Sequence, residues 1–323
     1  MAEIGNQVST AARWLRAGDV VAIPTETVYG LAGNALDPAA VAKIFAVKNR
    51  PSFNPLIVHT DTVDKIRPYV RHLPEVAELL AKQLWPGPLT LLLPKTSLVP
   101  DIVTAGLDRV AVRIPNHPLT LALLAQLDFP LAAPSANPFG YVSPTRAAHV
   151  AEQLGEKIPY ILNGGACSVG IESTIVGWED EKLIVYRWGG TSAEQLQSAV
   201  GQRITVGYRT ERPDAPPAPG MTRSHYAPRQ TVVVGDIPEL LTRYPSDKVA
   251  IISFRRDYPE MSKNRQVVLS PAGDLVEAAQ QLFASLRRLE KLPVDYILAE
   301  WVPNHGLGQA INDRLTRAAT ERQ

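Results

Sequence analysis

Two neighbouring stretches decide how this chain is read: IPTETVYGLAGNA at residues 23–35 and FAVKNRPSFNPLIVH at residues 45–59. Just ahead of the first, Asp19-Val20-Val21-Ala22-Ile23 is an apolar run of strand length that Pro24 brings to a stop. Residues 38–47 then carry apolar side chains at helical spacing, and Leu56-Ile57-Val58 reads as a second strand. Strand, helix and strand in that order, with polar groups gathered in the connections, indicate a layered α/β domain. The connections also hold the chemistry. Lys48 and Arg50 flank a single Asn, and Asn54 and His59 follow in a segment stiffened by Pro51 and Pro55. Lysine offers a movable point charge for a phosphate, and arginine a planar fork that grips two oxygens. The competing reading is a solvated loop, since Lys and Arg mostly sit in water.

The alternation continues outward. Helical spacing is expected over residues 10–17, with Gly18 as a C-cap, and over 63–69, 74–84 and 119–127. Strands are expected over 89–93, 110–114 and 131–133, and prolines at their ends favour a mixed sheet over a wholly parallel one. The composition breaks at residues 212–228, RPDAPPAPGMTRSHYAP, too rich in Pro for a helix or central strand and stiff through its polyproline preference. Beyond it, strands are expected at 230–234, 249–253, 267–269 and 296–299, with helices at 274–289 and 308–319. That pattern fits a small doubly wound domain.

The chain has 323 residues, enough for two cores, with 45% hydrophobic and 20% charged residues. A net charge of +1 argues against a surface coated for nucleic acid. The single cysteine, Cys167, excludes an internal disulfide framework, and the six scattered histidines lack paired-ligand spacing for zinc. With no signal-like start and no run near the roughly 20 apolar residues of a membrane span, the expected location is the cytoplasm.

Further candidate groups sit where strands end. Thr25 to Gly30 follows a buried strand, so its hydroxyls would face a ligand or cap their own turn. Ser135 and Asn137 alternate in Pro-Ser-Ala-Asn-Pro and, with Ser143, offer neutral donors; a plain Asx or Ser turn is the alternative. The glycine-rich pair Asn163-Gly164-Gly165 and Gly170-Ile171-Glu172-Ser173-Thr174 brackets Cys167, whose simplest role is a small packed hydrophobe. Arg113 and Arg187 each close an apolar strand. An arginine there is costly to bury unpaired, so it reaches solvent or meets an anion. Arg109 and Arg203 read as surface groups. Neither a Walker loop nor a dinucleotide fingerprint is present.

Taken together, these pieces resemble the L-threonylcarbamoyladenylate synthase family, a YrdC-like fold in its two-domain form. The resemblance rests on Pro24-Thr25-Glu26-Thr27-Val28-Tyr29-Gly30-Leu31, Lys48-x-Arg50, Pro55-Leu56 with His59, and Trp85-Pro86-Gly87-Pro88-Leu89-Thr90. Arg113-x-Pro115, Ser135-Ala136-Asn137 and Glu172-Ser173-Thr174 extend it. Pro219-Gly220-Met221 with His225-Tyr226-Ala227-Pro228, and Gly306-Leu307-Gly308 with Asn312-Asp313-Arg314-Leu315, look like the marks of the two-domain form. Thr222-Arg223-Ser224 departs from that form's usual basic and aromatic mix.

The resemblance implies a twisted mixed sheet whose helices form a concave cleft over residues 1–207, a Pro-rich linker and lid at 208–229, and a Rossmann-like domain at 230–323. It implies synthesis of threonylcarbamoyl-AMP and pyrophosphate from L-threonine, bicarbonate or CO2, and ATP. A partner transferase would pass the threonylcarbamoyl group to tRNA, with direct tRNA contact weak at most. Lys48 and Arg50 would be the catalytic cations. Asn54, Ser135, Asn137, Ser143, Arg187 and Tyr226 would complete the ATP site. Thr27, His59, Arg113, Ala133 and Ser173 would hold threonine. Mg2+ would be carried by the phosphates, with no metal ligand from the protein. Two rival readings use the same fold: a non-catalytic tRNA- or rRNA-binding module, and a carbamoyl-transfer domain of hydrogenase maturation.

Overall fold

The computed structural model describes residues 1–179, 182–201, 206–208 (backbone only), 218–219 and 226–320. Arg203, most of the Pro-rich stretch, and the expected marks at Gly220, Met221, Thr222, Arg223, Ser224 and His225 lie outside the described residues.

Most of the chain up to Tyr208 builds one sheet, 11-stranded among the described residues. Its strands are β1 (Glu3–Gly5), β2 (Val21–Ile23), β3 (Gly30–Asn34), β4 (Ile57–His59), β5 (Leu89–Pro94), β6 (Arg109–Arg113), β7 (Leu131–Ala132), β8 (Tyr160–Leu162), β9 (Thr174–Glu179), β10 (Lys182–Arg187) and β11 (Val206–Tyr208). They lie side by side as β1-β8-β2-β3-β7-β4-β6-β5-β9-β10-β11. Parallel pairs such as β4–β6 and β5–β9 sit beside antiparallel pairs such as β2–β3 and β5–β6, so the sheet is mixed.

Two-residue alternation sorts the strands onto two faces. Val58, Leu91, Leu93, Val110, Val112 and Val176 point into the main core, beneath the helices Pro38–Lys48, Glu75–Leu84 and Ala193–Val200. Ile57, Leu92, Ala111 and Ile175 point the other way. On that second face, the helices Val8–Arg16 and Pro118–Gln126 cover only one end, packing on Val21, Ile23, Ala32 and Leu131. Over the middle of the sheet the cover among the described residues includes Ala218, from the Pro-rich stretch. This partly roofed face is where the cleft lies.

Local signals explain where the helices stop. The helix Val8–Arg16 closes in a Schellman turn: Gly18 sits at φ 75°, its N–H bonds to Leu15 O, and the Asp19 N–H bonds to Trp14 O. Pro38–Lys48 opens with Pro at N1 and the Asp37 side chain accepting from the Ala39 N–H at 2.9 Å. It ends on Asn49 at φ 49°, a left-handed turn that Asn tolerates better than most residues. The x of Lys48-x-Arg50 is thus the residue that turns the chain out of the helix between the two cations.

The second sheet is wholly parallel and four-stranded among the described residues. It contains β12 (Thr231–Val234), β13 (Val249–Ser253), β14 (Gln266–Val268) and β15 (Tyr296–Ala299), in the order β12-β15-β13-β14. Ala250, Ile252, Ile297 and Ala299 face the helices Leu275–Leu289 and Gly308–Ala319. Val249, Ile251 and Leu298 face Ile237 and Leu240 of the opposite layer. Helices on both faces make it doubly wound, as expected.

Three expectations need correcting. Residues 63–69 form a bend and one short 3-10 turn, Arg67–Tyr69, rather than a helix, because Pro68 removes a donor and crowds the preceding turn. Gly30, read as the end of the Thr25–Gly30 turn, instead opens a buried strand, Gly30–Asn34, paired antiparallel to β2; its two glycines hide it from a propensity reading. Arg109 is tied down rather than a free surface group, donating to Trp178 O at 2.9 Å and Tyr186 Oη at 3.3 Å.

Candidate active site

The cationic loop and the serine–asparagine turn meet although nearly ninety residues separate them. Lys48 Nζ donates to Ser135 O at 2.5 Å and also to Asn137 O. A narrow cleft, with a cavity volume of about 50 Å3, lies beside this junction on the second face of the large sheet. Of the thirteen site residues expected from sequence, Thr27, Arg50, His59, Arg113, Ala133, Ser135, Ser173, Arg187 and Tyr226 line it.

The other four stand behind the wall. Lys48, only 1% exposed, spends its ammonium on the two carbonyls. Asn54 Oδ1 accepts from Arg50 Nη2 at 2.7 Å. Asn137 does not share a face with Ser135; its Nδ2 donates to Pro138 O and Tyr141 O at 2.8 and 2.9 Å. The Ser143 hydroxyl is held by Glu172 Oε1 at 2.5 Å. Together these four fix the groups that do face the cleft.

Strand geometry aims most of those groups. His59 follows Ile57 by two residues and Arg113 follows Ala111 by two, so both share the cleft face. Arg187 is different. Alternation from Val185, which packs in the main core, would turn it under the helices. A bulge between Val185 and Arg187 shifts the β9–β10 register and brings Arg187 round to the cleft.

Thr25 is the local cap foreseen as an alternative: its Oγ1 donates to Val28 O at 2.6 Å and accepts from the Thr27 and Val28 N–H groups. It thereby presents Thr27, whose Oγ1 accepts from Arg113 Nη2 at 3.0 Å. Thr174 Oγ1 is likewise turned away, onto Thr191 O.

Electrostatics divide the cleft into two ends. At one, Arg113 forms a buried ion pair with Glu26 at 2.8 Å and donates to Gly87 O at 3.2 Å. His59 lies beside it; burial and the Arg113 charge hold its imidazole down at about 3, so it is neutral near pH 7.

At the other end, Arg50 donates, among the described residues, to Asn54 O, Asn54 Oδ1 and Pro55 O. Arg187 donates to Ser173 O, Ser173 Oγ and Pro219 O. Burial pulls Arg50 down to about 9, with Arg187 adding repulsion, and burial lowers Lys48 and Arg187 as well. Among the described residues none of these three cations hydrogen-bonds or ion-pairs with a carboxylate, although the Glu172 charge partly offsets the lowering of Arg187.

Sequence reasoning gave no role to Glu26, Glu172, Arg287 or Arg314. The strand-end arginine rule does point to Glu26, since Arg113 must meet an anion and Glu26 stands in the adjoining motif. Arg314, wholly buried in the Gly308–Ala319 helix, donates through Nε to Glu172 Oε2 at 2.8 Å. Arg287, in the Leu275–Leu289 helix, donates to Val142 O, to Ser143 O at 3.3 Å and to Gln153 Oε1 at 2.8 Å. Tertiary distance alone hid these two.

Such a fold and cleft define the Sua5/YciO/YrdC class. The family described as "Telomere recombination" matches residues 13–189, and "Threonylcarbamoyl-AMP synthase, C-terminal domain" matches 191–320. The chain is 41% identical to the threonylcarbamoyl-AMP synthase of Pyrococcus abyssi, over 97% of this chain and 94% of that one. It is 39% identical to the Bacillus subtilis enzyme of the same name, over 97% and 93%. A crystal structure of P. abyssi Sua5 complexed with L-threonine superposes with a TM-score of 0.90 at 39% identity, over 97% and 94% of the two chains. The chain belongs to the threonylcarbamoyl-AMP synthase family, in the form that carries the C-terminal domain, and is an enzyme of that family.

Proposed function

We propose that the cleft joins L-threonine, bicarbonate or CO2, and ATP into threonylcarbamoyl-AMP, releasing pyrophosphate. The observation that carries this reading is the set of buried cations, Lys48, Arg50 and Arg187, held by neutral oxygens only among the described residues. Buried charges without a counter-ion are costly, and a bound polyanion would remove that cost. The two groups of residues would serve two ligands. Arg50, Arg187, Ser135 and Tyr226 would take the nucleotide, with Lys48, Asn54, Asn137 and Ser143 supporting them or turning to it as it binds. Thr27, His59, Arg113, Ala133 and Ser173 would take threonine.

In the proposed reaction, a carbamate oxygen of N-carboxy-threonine attacks the α-phosphorus in line. The bond from that phosphorus to the bridging oxygen breaks, and pyrophosphate leaves with the electron pair. The protein need offer no covalent nucleophile; positioning and charge compensation suffice. Neutral His59 adds no positive charge beside Arg113, which leaves the guanidinium as the anchor for a carboxylate. Glu172, which lines the cleft, and Glu26, which pairs with the lining residue Arg113, are already engaged by Arg314 and Arg113, which makes them poor metal ligands. Mg2+ is therefore assigned to the phosphate oxygens, where it would offset charge on the leaving pyrophosphate.

Residues 1–207 would form the catalytic domain, 208–229 the linker and lid, and 230–323 the domain against which the lid is held. The product would serve N6-threonylcarbamoyladenosine formation on tRNA, through a separate transferase, in the cytoplasm. No helix among the described residues is long and apolar enough to cross a membrane.

The test is pyrophosphate release with ATP, threonine and bicarbonate each omitted in turn. Release that needs all three supports the reading. Release independent of threonine, or RNA binding with no ATP consumption, overturns it.

A further inference from the structure

The C-terminal domain reaches into the cleft wall at two points, and both contacts are buried. Arg314 is 0% exposed. Its guanidinium holds Glu172 Oε2 at 2.8 Å, Trp188 O at 2.9 Å and Asp313 at 2.5 Å, and lies 4.9 Å from the centre of the Tyr226 ring. Burial opposes the charge, but Tyr226, Glu172 and Asp313 outweigh it and raise the guanidinium pKa. Glu172 passes the restraint on, since its other oxygen holds the Ser143 hydroxyl at 2.5 Å.

Tyr226 itself is in a conformation that needs outside support. Its φ of 63° is left-handed, uncommon for a bulky side chain and costing about 1–2 kcal/mol. The ring is clamped between Arg314 and Phe283, the latter stacked at 5.5 Å, and both belong to the C-terminal domain. The Ala227 N–H then docks on Gly140 O of the catalytic domain at 3.1 Å.

We propose that Arg314 is a positioning residue for the synthase reaction: it fixes Glu172 and the Tyr226 ring together, so that the C-terminal domain shapes the nucleotide end of the cleft. This rests on the proposed function for its kinetic consequence, though not for its structural one. Arg314 is wholly buried and does not line the cleft. It acts on a cleft that Tyr226 roofs and Glu172 walls, by holding both in register with Ser143.

The experiment uses the full chain with Arg314→Lys, which keeps the charge but loses the planar fork. The expected result is a KM for ATP at least tenfold higher, with kcat within about threefold of wild type and the KM for threonine nearly unchanged. Hydrogen exchange at the Ala227 amide should speed up at least tenfold, while amides in the β13–β15 pairing hold their wild-type rates. Tyr226→Leu should raise the ATP KM by a similar factor. Combining the two should add little, because both break the same contact.

Wild-type ATP KM and wild-type Ala227 exchange in Arg314→Lys would overturn the proposal. Should that variant not fold, an unchanged ATP KM in Tyr226→Leu would overturn it equally. If wild type itself releases no pyrophosphate from ATP, the reaction assignment fails, and Ala227 exchange alone still decides whether Arg314 positions the roof.

Discussion

Lys48 and Arg50 stand two residues apart but do different jobs. Arg50 lines the cleft, so Arg50→Ala should lower ATP-to-pyrophosphate turnover by more than a hundredfold, and because water can enter from the cleft to the Asn54 and Pro55 oxygens it leaves behind, it should cost less stability than the loss of Lys48. Lys48 pins the Ser135–Asn137 turn from behind. Lys48→Ala should remove turnover and also destabilise, because the buried Asn137 carbonyl loses its donor, at about 1–3 kcal/mol, and the half-buried Ser135 carbonyl loses its own. Steady-state kinetics and thermal melts of both variants check this, and equal melting losses would erase the distinction.

Arg113 carries a second prediction. Arg113→Ala should raise the threonine requirement most, and it should cost about 3–5 kcal/mol because Glu26 is left charged and buried. Adding Glu26→Gln should recover most of the stability and none of the threonine affinity. The residue types were legible because strand ends and prolines marked them. Which face each one takes was not: Asn137 and Ser143 look like free donors in sequence, yet their hydrogen bonds go to Tyr141 O and Glu172.

Among the elements, the clearest signals were helix ends and short apolar strands, where a local rule such as the Gly18 cap or the Pro24 stop decides the matter. The hidden ones depend on distant partners. β3 is a strand because β2 and β7 hydrogen-bond to it, and no property of Gly-Leu-Ala-Gly-Asn announces that. The bulge that re-aims Arg187 likewise exists only in the pairing of β9 with β10.

The segment around Gly170 offers a test at this scale. Gly170 has φ 80°, and a Cβ there would come within 2.5 Å of the Gln280 Cα and 2.6 Å of Ala279 O in the Leu275–Leu289 helix. Gly170→Ala should therefore force that helix off the catalytic domain, at a cost of several kcal/mol, whereas Gly165→Ala, which meets nothing within 4 Å, should cost only its backbone strain. Denaturant melts of the pair decide it, and equal losses would mean the helix contact is slack.

At the scale of the whole molecule, a single apolar cluster crosses the domain boundary: Val28, Val142 and Ile171 pack with Tyr226, Phe283 and Leu307. The sequence told of two sheets and a Pro-rich joint, but it gave no sign that the halves share a core, because complementary surfaces leave no periodic trace. Stability of the whole should depend on pH through buried histidines. His59 is held at about 3 and His149 at about 4, the first by burial and Arg113, the second by burial, Arg287 and Arg146. Both lie below the unfolded value of about 6.5. Above that pH neither state takes the protons and stability is full. As pH falls from 6.5 towards 3, the unfolded chain binds protons that the fold refuses, so the melting temperature should drop. A flat profile over pH 7 to 4 would contradict this.

The lone thiol draws a practical consequence from the same burial. Cys167 is enclosed and its ionisation is pushed up to about 12, chiefly by burial, so the native enzyme should resist alkylating reagents near neutral pH. Its modification rate then counts the moments when the molecule comes open, giving a one-atom clock for breathing that requires no added label.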